Sequence, residues 1–290
     1  MAEELKVYLD HLIRREDLLY QRSEDVAINE SEEFNNPRFT LKDFFTTDDP
    51  VSDRLRKPDF QRATWAWTPE ECVSLLHSLL HKQVVPSVIM WKSPSSFYYV
   101  LDGGHRISVL LAWLNNDWGD SKSGEVAEYD PELAKKIRDA AREVRRLLAG
   151  RNIGNFKDYK LAYTNYKAKV NENTKIEPEL DPVTDKQVQF YRALLDNNGF
   201  HLQWVAGNYQ KAEESFLNIN KSGTKLTEWE TLLVNYRKSS LSRFIMSVSN
   251  ITGMEHCWPT KLANSEDKAK ATNSTTAILS GITKLNDYMF

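Results

Sequence analysis

Between residues 68 and 114 the spacing of apolar positions changes twice, and each change predicts an element. Val73, Leu76, Leu79 and Leu80 recur at helical spacing. Thr68-Pro-Glu-Glu71 precedes them as an N-cap, a proline at the first helical position and a glutamate placed to close a capping box. Pro86 ends the connection; VIMW (88 to 91) and FYYVL (97 to 101), joined by the turn KSPSS, then predict a β-hairpin. The second strand runs directly into Asp102-Gly-Gly-His-Arg106, and Ile107 to Leu114 resumes as an apolar helix.

Elsewhere the pattern is simpler. Glu3 to Asp17 reads as an amphipathic helix carrying Leu5, Leu9, Leu12 and Ile13, and SEDVAINESEEFNNP after it reads as an exposed loop or short strand. Beyond about residue 120 the chain predicts long helices with no obvious strand. Asp130-Pro131 caps a helix with the stripe Leu133, Ile137, Val144 and Leu148, ended by Gly150. Val170 to Asp185, polar with two prolines, reads as a loop, and Thr227-Glu-Trp-Glu230 as a second capping box after a glycine turn. No internal repeat is present. The expected organisation is an α/β core over 1–120 and a mainly helical region over 121–290.

Composition narrows the function. With 41% hydrophobic and 27% charged residues, the 290-residue chain reads as a globular protein with a sizeable core. A net charge of −3 excludes a uniformly basic surface, so any nucleic-acid contact must be local. The first residues do not form a secretory signal, and the longest apolar run is too short to span a bilayer. Cys72 and Cys257 alone give no disulfide framework, which fits a cytoplasmic location.

The chemistry concentrates in Asp102 to Arg106. A strand that passes through two glycines into a helix offers free backbone N–H groups and the positive end of the helix dipole to an anion. Gly103 and Gly104 permit close approach of a phosphate, and Arg106 adds a guanidinium. Asp102 can orient that arginine or help to hold a divalent cation. The competing reading is a tight turn whose glycines only relieve crowding. Neither G-x-x-x-x-G-K-[ST] nor G-x-G-x-x-G occurs, so the phosphate-binding designs that those motifs mark are absent.

Two segments join this loop. PDFQRATWAW (58 to 67) with VLDGGHRISVLLAW resembles the N-terminal domain of GmrSD-type restriction systems, with its P-x-[YF]-Q-R and D-G-Q-[QH]-R motifs. Phe216-Leu-Asn-Ile-Asn-Lys-Ser-Gly-Thr-Lys-Leu226 resembles that family's F-x-x-[IL]-N-x-x-G-x-x-L segment, and the three stand in the family's order over about residues 39 to 235. The resemblance, which extends to relatives such as BrxU and SspE, implies a ParB/sulfiredoxin-like small mixed sheet with flanking helices. It also implies a module that binds and hydrolyses a nucleoside triphosphate with a divalent cation, magnesium being expected, in defence against foreign DNA.

On the matching positions the resemblance implies catalytic roles for Gln61, Asp102 and His105. Phosphate or nucleotide contacts fall to Arg62, Gly103, Gly104, Arg106, Asn220 and Gly223, and Asp102 is the metal position. Gly104 stands where the family usually has glutamine, which puts hydrolysis in question. The thiol chemistry of sulfiredoxin is set aside because DGGHR lacks the cysteine of that loop. The partners implied are DNA, modified DNA included, a nucleotide, a nuclease domain or subunit, and a second copy of the chain. A non-catalytic sensor of modified DNA, such as phosphorothioate DNA, or a specificity subunit is the alternative.

Other features carry weaker signals. Lys135, Arg138, Arg142, Arg145 and Arg146 fall along one face of the 131–150 helix, where they could track a DNA backbone or simply be solvated. His77 and His81 share a helical face, a spacing more often packed or solvated than metal-binding. Trp65 and Trp67 suit either base stacking or the core. Glu255-His-Cys-Trp-Pro259 with Asn264 is only a faint echo of an HNH nuclease motif, and Asn218 and Asn220 read equally well as turn residues.

Overall fold

A computed structural model describes residues 4–16, 38–44, 50–58, 61, 64, 66–81, 83–128, 130–172, 178–197 and 199–222. By compactness, Met1–Pro58 with Thr64–Phe216 forms one unit, and Asp59–Ala63 with Leu217–Phe290 forms a second. The first unit is mixed α/β, in agreement with the expected class. Its strands are β1 (Arg14–Glu16), β2 (Arg38–Thr40), β3 (Leu55–Pro58), β4 (Val88–Lys92), β5 (Tyr98–Asp102) and β6 (Gly199–Val205), in sheet order β1-β3-β5-β4-β6-β2. β1, β3 and β5 run parallel; β4 is antiparallel to β5, parallel to β6, and β6 is antiparallel to β2.

The hairpin and its flanking helices form where local signals predict them. Helix α2 (Pro69–Leu80) follows α1 (Val51–Arg54), and its capping box is complete: Glu71 N–H donates to Thr68 Oγ1, while Glu71 Oε2 accepts from Thr68 N–H at 2.7 Å. Helix α3 (Gly104–Asn115) is buried from Ile107 through Leu114, the mark of a central helix with apolar residues on every side. Trp113 fixes its far end by donating Nε1–H to the Gly154 carbonyl at 2.9 Å. Later in the chain come α4 (Ser123–Ala127), α5 (Pro131–Gly150), α6 (Phe156–Glu172), α7 (Pro182–Asn197) and α8 (Tyr209–Ser222). One continuous core joins Val73 and Leu76 of α2, Val100 of β5, Val144 of α5, Phe156 of α6 and Phe200 of β6.

Three expectations are corrected. Residues 4–9 are not helical, and only a short 3-10 turn at Asp10–Leu12 precedes β1. The reason is tertiary: Val7 and Leu9 donate their N–H groups to the carbonyls of Trp67 and Thr64, which pulls the segment straight despite its leucine spacing. The region after residue 120 does contain a strand, β6, whose Phe200 and Leu202 are buried while His201 and Gln203 are exposed. The polar 170–185 stretch is helical at both ends, through Glu172 of α6 and from Pro182 of α7, where Asp181 accepts the N–H groups of Val183 and Thr184.

Candidate nucleotide site at the start of a buried helix

The Asp102–Arg106 loop joins the C-terminal end of β5 to the first turn of α3. Gly103 is the N-cap residue at φ +94°, a left-handed conformation that glycine adopts at little cost. Its missing side chain has a second use. A Cβ there would lie 2.9 Å from Val88 Cγ2, 3.0 Å from Arg106 Nη2 and 3.2 Å from Arg106 Nε, so the guanidinium folds back over the glycine. Arg106 Nη2 donates to Asp102 Oδ2 at 2.6 Å and to the Ser87 carbonyl at 3.0 Å. Its Nε–H is buried without a hydrogen-bond acceptor among the described residues. An orphaned guanidinium N–H is costly when buried, and it is the kind of donor that a phosphate oxygen satisfies. Asp102, with 43% of its side chain exposed, gives Arg106 only one of its carboxylate oxygens.

His105, in the first turn of α3, accepts a 3.3 Å hydrogen bond at Nε2 from the Ala66 N–H. Trp67 stacks on its ring, with centroids 5.4 Å apart and planes 19° from parallel. Burial first, and then the positive charges of Lys57 and Arg106 against the opposing pull of Asp10, push the imidazole down to about 4. At neutral pH His105 is therefore uncharged, with its proton on Nδ1.

Lys57, at the end of β3, is a participant that the sequence did not advertise. It is fully buried, ion-paired to Asp10 Oδ1, and donates to the Asp10 carbonyl at 2.9 Å and to Thr64 Oγ1 at 3.2 Å. Asp10 also accepts from the Thr64 N–H at 2.7 Å and pairs with Arg15 at 3.2 Å. Burial alone would raise the Asp10 carboxyl, but Lys57 and then Arg15 outweigh it and hold the group well below the usual carboxylate range. This network ties Lys57 of β3 to Thr64 through Asp10.

The remaining positions divide clearly. Gln61 is half-buried and belongs to the second compact unit, while Arg62, Trp65 and Gly223 lie outside the described residues, as do Thr227–Glu230 and Glu255–Asn264. Asn218 and Asn220 sit within α8, so they are helical rather than turn residues. On α5, Lys135 and Arg142 share Asp139 at 3.1 and 3.2 Å, and Arg146 is held by Glu143. Arg145 caps α3 instead of facing solvent freely: its guanidinium donates to the Asn116 side chain and carbonyl and to both carboxylate oxygens of Asp120. Arg138 is exposed. His77 and His81 stack at 4.0 Å, and no group of three potential metal ligands occurs among the described residues. A separate cavity of about 730 Å³, bounded by Trp113, Tyr159, Phe190 and Lys186, contains no residue of the Asp102–Arg106 loop.

No helix among the described residues is long and apolar enough to cross a membrane. No curated protein and no solved structure matches the chain. A family model described as the GmrSD restriction endonuclease N-terminal domain matches residues 41–237.

Proposed function

The chain belongs to the GmrSD restriction endonuclease N-terminal domain family and is thus a restriction-system component; on that premise we propose that it binds a nucleoside triphosphate and hydrolyses it, coupled to recognition of modified DNA. In this reading the sheet is of ParB/sulfiredoxin-like type and the triphosphate rests on the turn between β5 and α3. The observation that carries the proposal is the orphaned Arg106 Nε–H beside Gly103, at the N-terminal end of a twelve-residue buried helix. A phosphate there would satisfy the guanidinium and meet the helix dipole at once.

A divalent cation fits this arrangement as a ligand shared with the phosphates. Asp102 supplies one half-exposed carboxylate, and magnesium is commonly held by one or two carboxylates together with substrate oxygens. Such an ion would draw charge from the leaving phosphate oxygens. The chain's own groups do the rest. Arg106 positions the phosphate, neutral His105 can donate a hydrogen bond from Nδ1–H, and the buried α3 keeps the turn rigid.

One observation favours a second reading, a non-catalytic sensor of modified DNA or a specificity subunit paired with a separate nuclease. Gly104 has no side chain where the family usually carries the glutamine suited to orienting water. Phosphate release from each of the four ribonucleoside triphosphates with magnesium separates the two. Turnover by the wild type that is lost in folded Arg106→Ala and partly retained in Arg106→Lys supports hydrolysis at this turn. Absence of turnover with every nucleotide favours the sensor, and turnover indifferent to Arg106 rejects the site.

A further inference from the structure

Helix α6 carries a basic stripe that differs in kind from the basic face of α5. Lys157, Lys160, Thr164, Lys167 and Asn171 are all exposed and follow one another at intervals of three or four residues. At 3.6 residues per turn they occupy an arc of about 80° and extend over about 21 Å of helix. The two acids of the helix, Asp158 and Glu172, fall on the other flank of its exposed side, and Asp158 is engaged by the Asn155 side chain at 2.6 Å. Neither Lys157 nor Lys160 has an acidic partner among the described residues, and Lys167 lies 5.2 Å over the Tyr163 ring. The opposite side of α6 is anchored through Phe156, Tyr159 and Tyr166, so the stripe is presented on a fixed support.

On α5, by contrast, Lys135, Arg142 and Arg146 each have a carboxylate within about 3 Å, and Arg145 is consumed in capping α3. Surface ion pairs are individually weak, so pairing alone would not disable α5. What differs is the local field. On α5 the carboxylates of Asp139 and Glu143 sit within the stripe and offset part of the charge of Lys135, Arg142 and Arg146 at a distance shorter than the Debye length, whereas no acid lies among the three α6 lysines, which add on one face of a chain whose net charge is −3.

We propose that the Lys157–Lys160–Lys167 stripe of α6 is the surface on which this protein receives the phosphodiester backbone of duplex DNA. The proposal rests on the DNA-directed part of the function proposed above and moves that contact from α5, where the sequence suggested it, to α6. Thr164 and Asn171 supply polar groups between and beside the lysines, and no acid interrupts the stripe. Backbone contact of this kind carries no sequence preference and leaves recognition of a modification to other groups.

The test is the salt dependence of binding to a 20-base-pair duplex by the full chain. The proteins compared are wild type, the triple variant Lys157→Gln/Lys160→Gln/Lys167→Gln, and the α5 triple Lys135→Gln/Arg138→Gln/Arg142→Gln. Circular dichroism checks that each is folded. Loss of three backbone contacts lowers the slope of log K against log salt by about 2.7 and weakens binding by about 100-fold at 0.1 M salt. The α5 triple is expected to change affinity less than about threefold. Duplex binding untouched by the α6 triple overturns the stripe while leaving the DNA-directed reading intact. Absence of DNA binding by the wild type overturns both. Lysine-dependent binding to vesicles containing phosphatidylserine, without duplex binding, replaces DNA with an anionic membrane surface and so also overturns the proposal.

Discussion

Trp67 lies flat against His105, with ring centroids 5.4 Å apart, while the neighbouring Ala66 N–H donates to the same imidazole. Indole and imidazole thus join the entry of α2 to the first turn of α3. The contact keeps the histidine out of water, and its neutrality at physiological pH follows from that burial and from the adjacent cations.

His105 should therefore make the fold acid-sensitive. Its folded value near 4 lies below the ordinary 6.5, so between those values the unfolded chain binds a proton that the native protein refuses. Stability from this group is fully present above about pH 6.5 and is lost as the pH falls towards 4, by on the order of 3 kcal/mol. Urea denaturation at pH 7 and pH 4.5 should show a larger loss for wild type than for His105→Gln. Equal losses would mean that the imidazole is already charged in the native state.

Breaking the buried Lys57–Asp10 pair should be expensive. In Lys57→Met, Asp10 keeps Arg15 and the Thr64 N–H but loses its most buried partner. The expected destabilisation is about 3 kcal/mol. In a double-mutant cycle with Asp10→Asn, the combined loss should fall short of the sum by at least about 1 kcal/mol. Additive losses would show that the two side chains stabilise the protein independently.

The two glycines of the loop should respond oppositely to substitution. Gly103→Ala forces a side chain into a left-handed backbone 2.9 Å from Val88 Cγ2, and should cost about 1–3 kcal/mol while displacing Arg106. Gly104 begins α3 with a helical backbone, so Gly104→Gln carries no left-handed-backbone penalty. If the missing glutamine limits hydrolysis, Gly104→Gln raises kcat and leaves KM nearly unchanged in a phosphate-release assay. A rise in KM without a gain in kcat would show that the added side chain only obstructs the turn.

What could be read from the sequence was what short-range rules decide. The Thr68 capping box, the 88–102 hairpin and the glycine turn into α3 depend on residues within a few positions of one another, and the structure forms all three. The N-terminal segment departs from its helical spacing because its partners, Thr64 and Trp67, lie more than fifty residues away. Lys57 was invisible for the same reason: a lysine is buried only when the chain returns a carboxylate to it, here across 47 residues. β6 differs, since Phe200, Leu202 and Trp204 alternate with polar His201 and Gln203, a period-two signal that the sequence itself carries. For the candidate site, the loop from Asp102 to Arg106 is brought together much as its spacing suggested. The Arg106 fold-back over Gly103 and the stacking of Trp67 could not be deduced from spacing.

If the turn at Gly103 holds the phosphates of a nucleotide, the imidazole of His105 is a built-in reporter of it. Side-chain NMR of the histidines during titration with a nucleoside triphosphate and magnesium tests this directly, with signals assigned by single substitution. Nucleotide binding at this turn predicts a saturable shift of the His105 resonances while those of His77 and His81, stacked at the end of α2, stay in place. A His105 signal unmoved at millimolar nucleotide, in protein shown to be folded, would contradict it.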